Sequence, residues 1–494
     1  IEEVFPQWVR WSAARGLRTR NQAHGSPGNL LDLYALADIP ETEMFGRGER
    51  DPLASGFDAR FAEGDRDPLI SKFASSAAHV AGRRLVAAET GTWLAEHFCE
   101  TLEEMKCLVD LLFVSGVNHV IYHGCCYSPD HAAWPGWAFY ASTQMNPRNP
   151  IWHDAPALNA YIGRCQAMLQ SGEPDNDILL YWPIHDLWHT PAEAAGVLDP
   201  IECGVHRREW FDGQAISATA RRLWERGWCF DYVSDRLLGS AGVRGGAIRV
   251  PGGVYRAIVV PPTRHMPVDT LRRLLALAEG GASLVFEGGL PRDVPGLHER
   301  DRRREEARQL CGGLPLGGAG AVRVAKLGSG RVLVGELEEA LGAAGIAREG
   351  LADVGGIRFI RRRHAGGRDY FIVNQGMEVF DGWVTPGEGG ACATLMDPMT
   401  GSVVGVPRQA VEGRGAYRVR LDPGHSVILR TLDAVGANGG IADARWFMAQ
   451  GGAWRPVHGP WRLEFVRGGP EVPPTREVAD LKSWTDMEIG RAHV

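Results

Sequence analysis

Apolar runs of strand length alternate with segments of helical period over the first 182 residues. Val4, Phe5, Trp8 and Val9 recur at helical spacing within Glu2–Arg15, which predicts an amphipathic helix. Leu17–Ala23 follows as a strand ending in the polar run Gln22, His24, Gly25 and Ser26. Asn29–Leu36 reads as a short helix, and Ala37–Ile39 as a very short strand stopped by Pro40. Ser71–Gly82 is helical, the apolar strand Leu85–Ala88 runs into Glu89, Thr101–Ser115 is an amphipathic helix, Asn118–Tyr122 is a strand, and Pro156–Gln170 is a helix. This rhythm predicts βαβ units and a parallel sheet.

Each strand carries its polar residues at or just past its C-terminal end, where (β/α)₈ barrels keep their active sites. Residues 1–182 supply only about four strands, so the reading is the C-terminal half of a (β/α)₈ barrel with the other strands upstream. Residues 183–315 continue an α/β pattern that begins near Asp177 and predicts a flavodoxin-like doubly wound domain. In 316–435 short strands alternate with turn residues, as in a β-sandwich. Residues 436–494 begin a further β domain. The segment Ile489–Val494 reads as a translated sequencing adapter, and the chain starts without Met, so a reading frame cut at both ends is expected.

Composition narrows the class. A length of 494 residues with 44% hydrophobic and 23% charged positions is that of a multidomain globular chain. A formal charge of −7 argues against a nucleic-acid surface. No apolar run of membrane-spanning length exists in the sequence. Nine cysteines without a CxxC pair support neither a zinc site nor a disulfide framework, and most are expected to be buried thiols.

The candidate chemistry is that of sugar hydrolysis, which needs a proton donor for the leaving oxygen and a carboxylate for water or the sugar. Glu89 is the leading candidate, delivered by an apolar strand into a site with Thr90 and Trp93. A strand-end glutamate serves equally well in an ion pair with an arginine. The run Asp38-Ile39-Pro40-Glu41-Thr42-Glu43 sets carboxylates close together, suited to sugar hydroxyls or a hard cation, with an acidic helix start as the plainer reading. Gln22, His24, Asn118, His119 and His123 are hydroxyl ligands in type. Tyr122, Tyr127, Trp134, Trp137, Phe139 and Tyr140 can stack on sugar faces or simply pack. The second α/β segment has no nucleophile elbow and is expected to be non-catalytic.

Several stretches together resemble glycoside hydrolase family 106, the α-L-rhamnosidases. They are Gln22-Ala23-His24-Gly25-Ser26-Pro27, Ala37 to Glu43, Ala74 to His79, Ala87-Ala88-Glu89-Thr90, Gly116 to His119, Tyr122-His123-Gly124, Gly136-Trp137 and Tyr161-Ile162. Leu395 to Gly401 and Gly459-Pro460-Trp461 extend the likeness downstream. The resemblance implies an inverting barrel enzyme of carbohydrate breakdown, periplasmic or extracellular, with Ca²⁺ near the substrate. It implies a general base on the seventh strand, carried onto Glu89 with Glu43 as second choice. Gln22, His24, Glu41, Trp93, Asn118, His119, His123 and Trp137 are the expected substrate ligands. The general acid falls on an upstream strand, so the chain alone is expected to be inactive. Two other readings stand beside it: a retaining β-galactosidase-like barrel, and a non-catalytic carbohydrate-binding protein. The metal ligands and the oligomeric state are open.

Overall fold

A computed structural model describes residues 2–46 apart from Gly25 and Pro27, 66–189 apart from Trp93, Glu96 and Tyr140, 210–433 apart from Ala319, Glu388 and Glu412, 455–467, and 472–487 apart from Thr485. The chain forms two units, 1–126 with 138–444, and 127–137 with 445–494.

The first unit begins with helix α1 (Phe5–Ala13), strand β1 (Arg20–Gln22), α2 (Leu30–Leu36), β2 (Ile39–Phe45), α3 (Pro68–Ala81), β3 (Ala87–Thr92), α4 (Leu102–Val114), β4 (His119–Tyr122) and α5 (Ala155–Leu169). The strands make one parallel sheet in the order β1-β2-β3-β4. Local chemistry sets the helix ends. The Asn29 and Asp67 side chains accept the first free N–H groups of α2 and α3, and Thr101 with Glu104 closes a capping box on α4. Gly82 ends α3 in the left-handed region, at φ 75°. The expected stop at Pro40 does not occur. Pro40 is the second residue of β2, paired with Asn21, so Glu41, Thr42 and Glu43 lie within a strand and not in a turn. The strand starts there, where a missing N–H removes least from the ladder.

A second sheet runs Val322–Leu327, Gly330–Gly335, Ser283–Glu287, Ala257–Val260, Ile178–Tyr181, Phe230–Val233. All neighbours are parallel except the first pair. Numbered along the chain, its parallel strands lie in the order 2-1-3-4-5, that of flavodoxin-like sheets. This sheet takes Ile178–Tyr181 and also the hairpin 322–335. The expected edges at 182/183 and 315/316 therefore fall short on both sides. From Ile357 onward the strands are antiparallel, in one sheet of six that recruits Glu173–Pro174 and another of three. In the second unit, Trp461–Leu463 pairs with Arg476–Val478. The segment 489–494 lies outside the described residues.

One continuous apolar core runs through the first unit. Helix α3 gives it Leu69, Ile70, Phe73, Ala74, Ala77, Ala78 and Val80. Phe73 stacks on Tyr232 at 4.1 Å between centroids and meets Trp182 and Trp210 edge-on at 4.9 and 5.1 Å. Each such pair adds about 0.5–1.5 kcal/mol beyond area burial. The same helix buries Lys72, Ser76 and His79 against Asp231 of the second sheet. Of the thiols, Cys107 and Cys165 are buried, whereas Cys99 and Cys125 are exposed, so burial holds for only part of the set.

Candidate active site

Residues at matched register in a parallel sheet share a face, as do residues two apart on one strand. Gln22 faces Glu41, Glu41 faces Ala87 and Glu43 faces Glu89, while Ala87 faces His119 and Glu89 faces Ile121. Gln22, Glu41, Glu43, Glu89 and His119 therefore stand on one face of the sheet. The backbone N–H of His123, just past β4, donates to the Thr90 carbonyl at 2.9 Å and extends the ladder. A register shift between Met44 and Phe45 leaves Gly91, at φ 87°, unmatched. Beyond that bulge the Thr92 hydroxyl donates to Glu43 Oε1 at 2.8 Å.

Glu89 lies inside β3, not at its end. Gln22 Nε2 donates to Glu89 Oε2 at 2.8 Å, and His123 Nε2 stands 3.8 Å from Glu89 Oε1. The Glu89 side chain keeps 29% of its exposure. The arginine goes to Glu41 instead, with Arg20 Nε 3.0 Å from Glu41 Oε2. Burial pushes the Glu41 carboxyl up, Arg20 opposes this, and the like charge of Glu89 adds to it. Burial, then Arg20 and Arg18, push the His119 imidazole down, so it is neutral at pH 7 and fit to bond a hydroxyl. A face with fixed carboxylates, an amide and a neutral imidazole can orient a polyol and take a proton from water. The profile described as alpha-L-rhamnosidase matches residues 7–193 and 214–406.

The chain belongs to glycoside hydrolase family 106. It is similar over 97% of its length to the structure of a rhamnosidase from Novosphingobium sp. PP1Y, with a TM-score of 0.70 and 22% identity. A beta-galactosidase from Halorubrum lacusprofundi matches 87% of the chain at a TM-score of 0.52 and 14% identity, and the chain covers 67% of it. A Formosa agariphila protein named "Putative beta-glucuronidase" is 27% identical over 300 residues, 60% of this chain. The chain spans 22% of that relative and 43% of the Novosphingobium rhamnosidase.

Several expected ligands of this family 106 chain have other tasks. Asn118 is 2% exposed and sits just before β4. Its Nδ2 donates to Arg84 O and its Oδ1 accepts from Val86 N, both at 2.9 Å. It pins the entry to β3 and is not a sugar ligand. His24 Nε2 accepts the Glu43 N–H at 3.1 Å with the Thr42 hydroxyl also 3.1 Å away, so that edge of the ring is taken. Thr90 points away from Glu89 into the core, where its hydroxyl donates to Ala88 O at 2.9 Å. Tyr122 donates to Asn159 of α5 at 2.8 Å and packs there. Phe139 instead meets the His123 ring, at 5.5 Å and 69°. Trp137 belongs to the second unit and is exposed there, beside Ser128, whose Oγ accepts its N–H at 2.8 Å. Trp93 and Tyr140 lie outside the described residues.

Arg20 is the functional-face residue that sequence reasoning passed over. Its signal is the two-residue alternation with Gln22. No group of three His, Cys, Asp or Glu among the described residues could hold a metal, and the Glu41 carboxylate is occupied by a guanidinium. Among the described residues no helix is long and apolar enough to cross a membrane.

Proposed function

We propose that the four parallel strands are the second half of a (β/α)₈ barrel that hydrolyses terminal α-L-rhamnosides with inversion. Glu89 is its general base. One observation carries this reading: Glu89 shares a face with Gln22, Glu43 and His119, is held by the Gln22 amide, and is free of the arginine that neutralises Glu41. In this reading Gln22 fixes Oε2, and Oε1 takes the proton of a water attacking the anomeric carbon. His123 and His119 bond sugar hydroxyls. Electrons flow from the water oxygen to the anomeric carbon, and the glycosidic oxygen leaves with a proton from the general acid. That acid belongs to the first four strands, which the proposal sets upstream because a barrel needs eight. A periplasmic or extracellular location and a role in glycan breakdown are part of the same proposal.

The test uses the complete gene product on an aryl α-L-rhamnoside. Glu89→Gln should lose about 10²–10⁴-fold or more in kcat, and NMR should show the inverted anomer first. The 494-residue chain alone should show no turnover. Retention of rate in Glu89→Gln sinks the assignment. A second reading has its own observation: Glu43 and Glu89 are direct partners in register, so a retaining pair on adjacent strands is testable by the same NMR experiment. Aryl β-glucuronide and β-galactoside belong in the substrate panel because the relatives carry those names.

A further inference from the structure

A cleft of about 680 Å³ opens where the loop after α3, the segment after α5, the hairpin around Pro251 and the strand Ile357–His364 meet. Five arginines line it: Arg83, Arg84, Arg249, Arg362 and Arg363. Arg363 is paired with Glu173 at 2.9 Å, and Arg83 lies 3.6 Å from Asp38. Among the described residues, Arg84, Arg249 and Arg362 have no carboxylate partner. Arg84 Nε donates only to the Gln170 carbonyl at 3.3 Å, and Arg249 makes no side-chain hydrogen bond. Arg362 is buried at 6% exposure and is held by the Ser171 carbonyl at 2.7 Å and the Gly172 carbonyl at 3.1 Å. That uses two of its five N–H donors. Gly172 and Gly252 let backbone approach closely here, since a Cβ on either would overlap a carbonyl, of Arg363 and of His79 respectively.

Five arginines stand against one lining carboxylate, Glu173, in a concave wall of a chain whose formal charge is −7. Such a field gathers anions, and planar forks match tetrahedral oxyanions. We propose that this cleft is a second ligand site that takes a phosphate or sulfate group. Burial pushes Arg362 down to about 10, opposed by Asp369 and Asp231, with the like charge of Arg84 adding to the fall and Glu173 opposing it. A bound oxyanion relieves that strain. The cleft lies by the segments that enter β3 and follow α5, at the N-terminal ends of the strands, so the site is separate from the Glu89 face.

Isothermal titration of the complete gene product tests this with inorganic phosphate and with inorganic sulfate, each against chloride at matched ionic strength. The expected result is one site with a Kd of about millimolar or tighter for at least one of the two oxyanions. Arg84→Ala and Arg249→Ala should each weaken it about tenfold or more, the size of a lost charge-assisted hydrogen bond. Both side chains are exposed, so these variants keep the fold. Preference for phosphate or for sulfate names the source of the group. The proposal is overturned if both anions behave as chloride does, or if both variants bind like the parent.

Discussion

Replacing Asp231 by asparagine probes the junction between helix α3 and the second sheet. Asp231 is 0% exposed, yet it collects the Lys72 ammonium at 3.6 Å, His79 Nδ1 at 3.0 Å, Ser76 Oγ at 3.2 Å, Asn176 Nδ2 at 2.7 Å and the Tyr255 hydroxyl at 2.8 Å. Burial alone raises its carboxyl, but His79, Lys72 and the hydrogen bonds outweigh this and bring it to about 2, from 3.8. At about 1.36 kcal/mol per pH unit, that difference is about 2 kcal/mol of stability. The folded value is depressed, so this contribution is present above pH 3.8 and is lost as pH falls toward 2. Asp231→Asn removes the charge and turns one acceptor into a donor aimed at other donors. The summed loss is about 3–5 kcal/mol at pH 7, the range for a broken buried pair. Urea unfolding at a series of pH values measures it. The gap between parent and variant should narrow from pH 4 to pH 2 as the parent carboxylate protonates. A variant within about 0.5 kcal/mol of the parent at pH 7, or a gap indifferent to pH, refutes the reasoning.

Three further outcomes follow from single contacts. Gln22→Ala frees Glu89 Oε2 from its amide donor, so kcat on an aryl rhamnoside should fall about tenfold with KM little changed, as expected for a positioning residue. Asn118→Ala leaves the buried Val86 N–H without its acceptor and the Arg84 carbonyl without its donor, so thermal unfolding should show a loss of about 1–3 kcal/mol while kcat stays at the parent value. Gly172→Ala meets both a positive φ of 61° and the Arg363 carbonyl, so urea unfolding should show a loss above about 2 kcal/mol.

What could be read from the chain was whatever local chemistry decides. The helices α2, α3 and α4 were legible because apolar period and N-cap residue agree within a few positions, and a glycine closes α3. The apolar stretch before Glu89 was legible for the same reason. Pro40 was misread because a proline that ends one strand is identical in sequence to one that opens another; only its partner Asn21, 19 positions earlier, decides. The hairpin 322–335 alternates like any antiparallel pair, and nothing local shows that it closes the edge of a parallel sheet. Asn118 carries a ligand's functional groups, and only the two backbone atoms it meets make it structural. Asp231 and its donors are 24 to 159 positions apart, beyond the reach of any periodicity.

The three glutamates on one face show how environment separates groups that sequence makes equal. A general base needs a lone pair open to water and a charge not already neutralised. Glu41 fails on the second count, since Arg20 stands against it and burial closes it off. Glu43 Oε1 is engaged by Thr92, whose side chain reaches it because the bulge at Gly91 shifts the register by one residue. Without that bulge Thr92 would project from the opposite face, and Glu43 and Glu89 would compete as open carboxylates at matched register. Glu89 is held by a neutral amide on one oxygen and approached by an imidazole at 3.8 Å on the other, which orients the carboxylate without cancelling its charge. In the proposed reading, the guanidinium of Arg20 sets Glu41 aside, and the shift at Gly91 gives Glu43 a donor of its own, which leaves Glu89 as the preferred base.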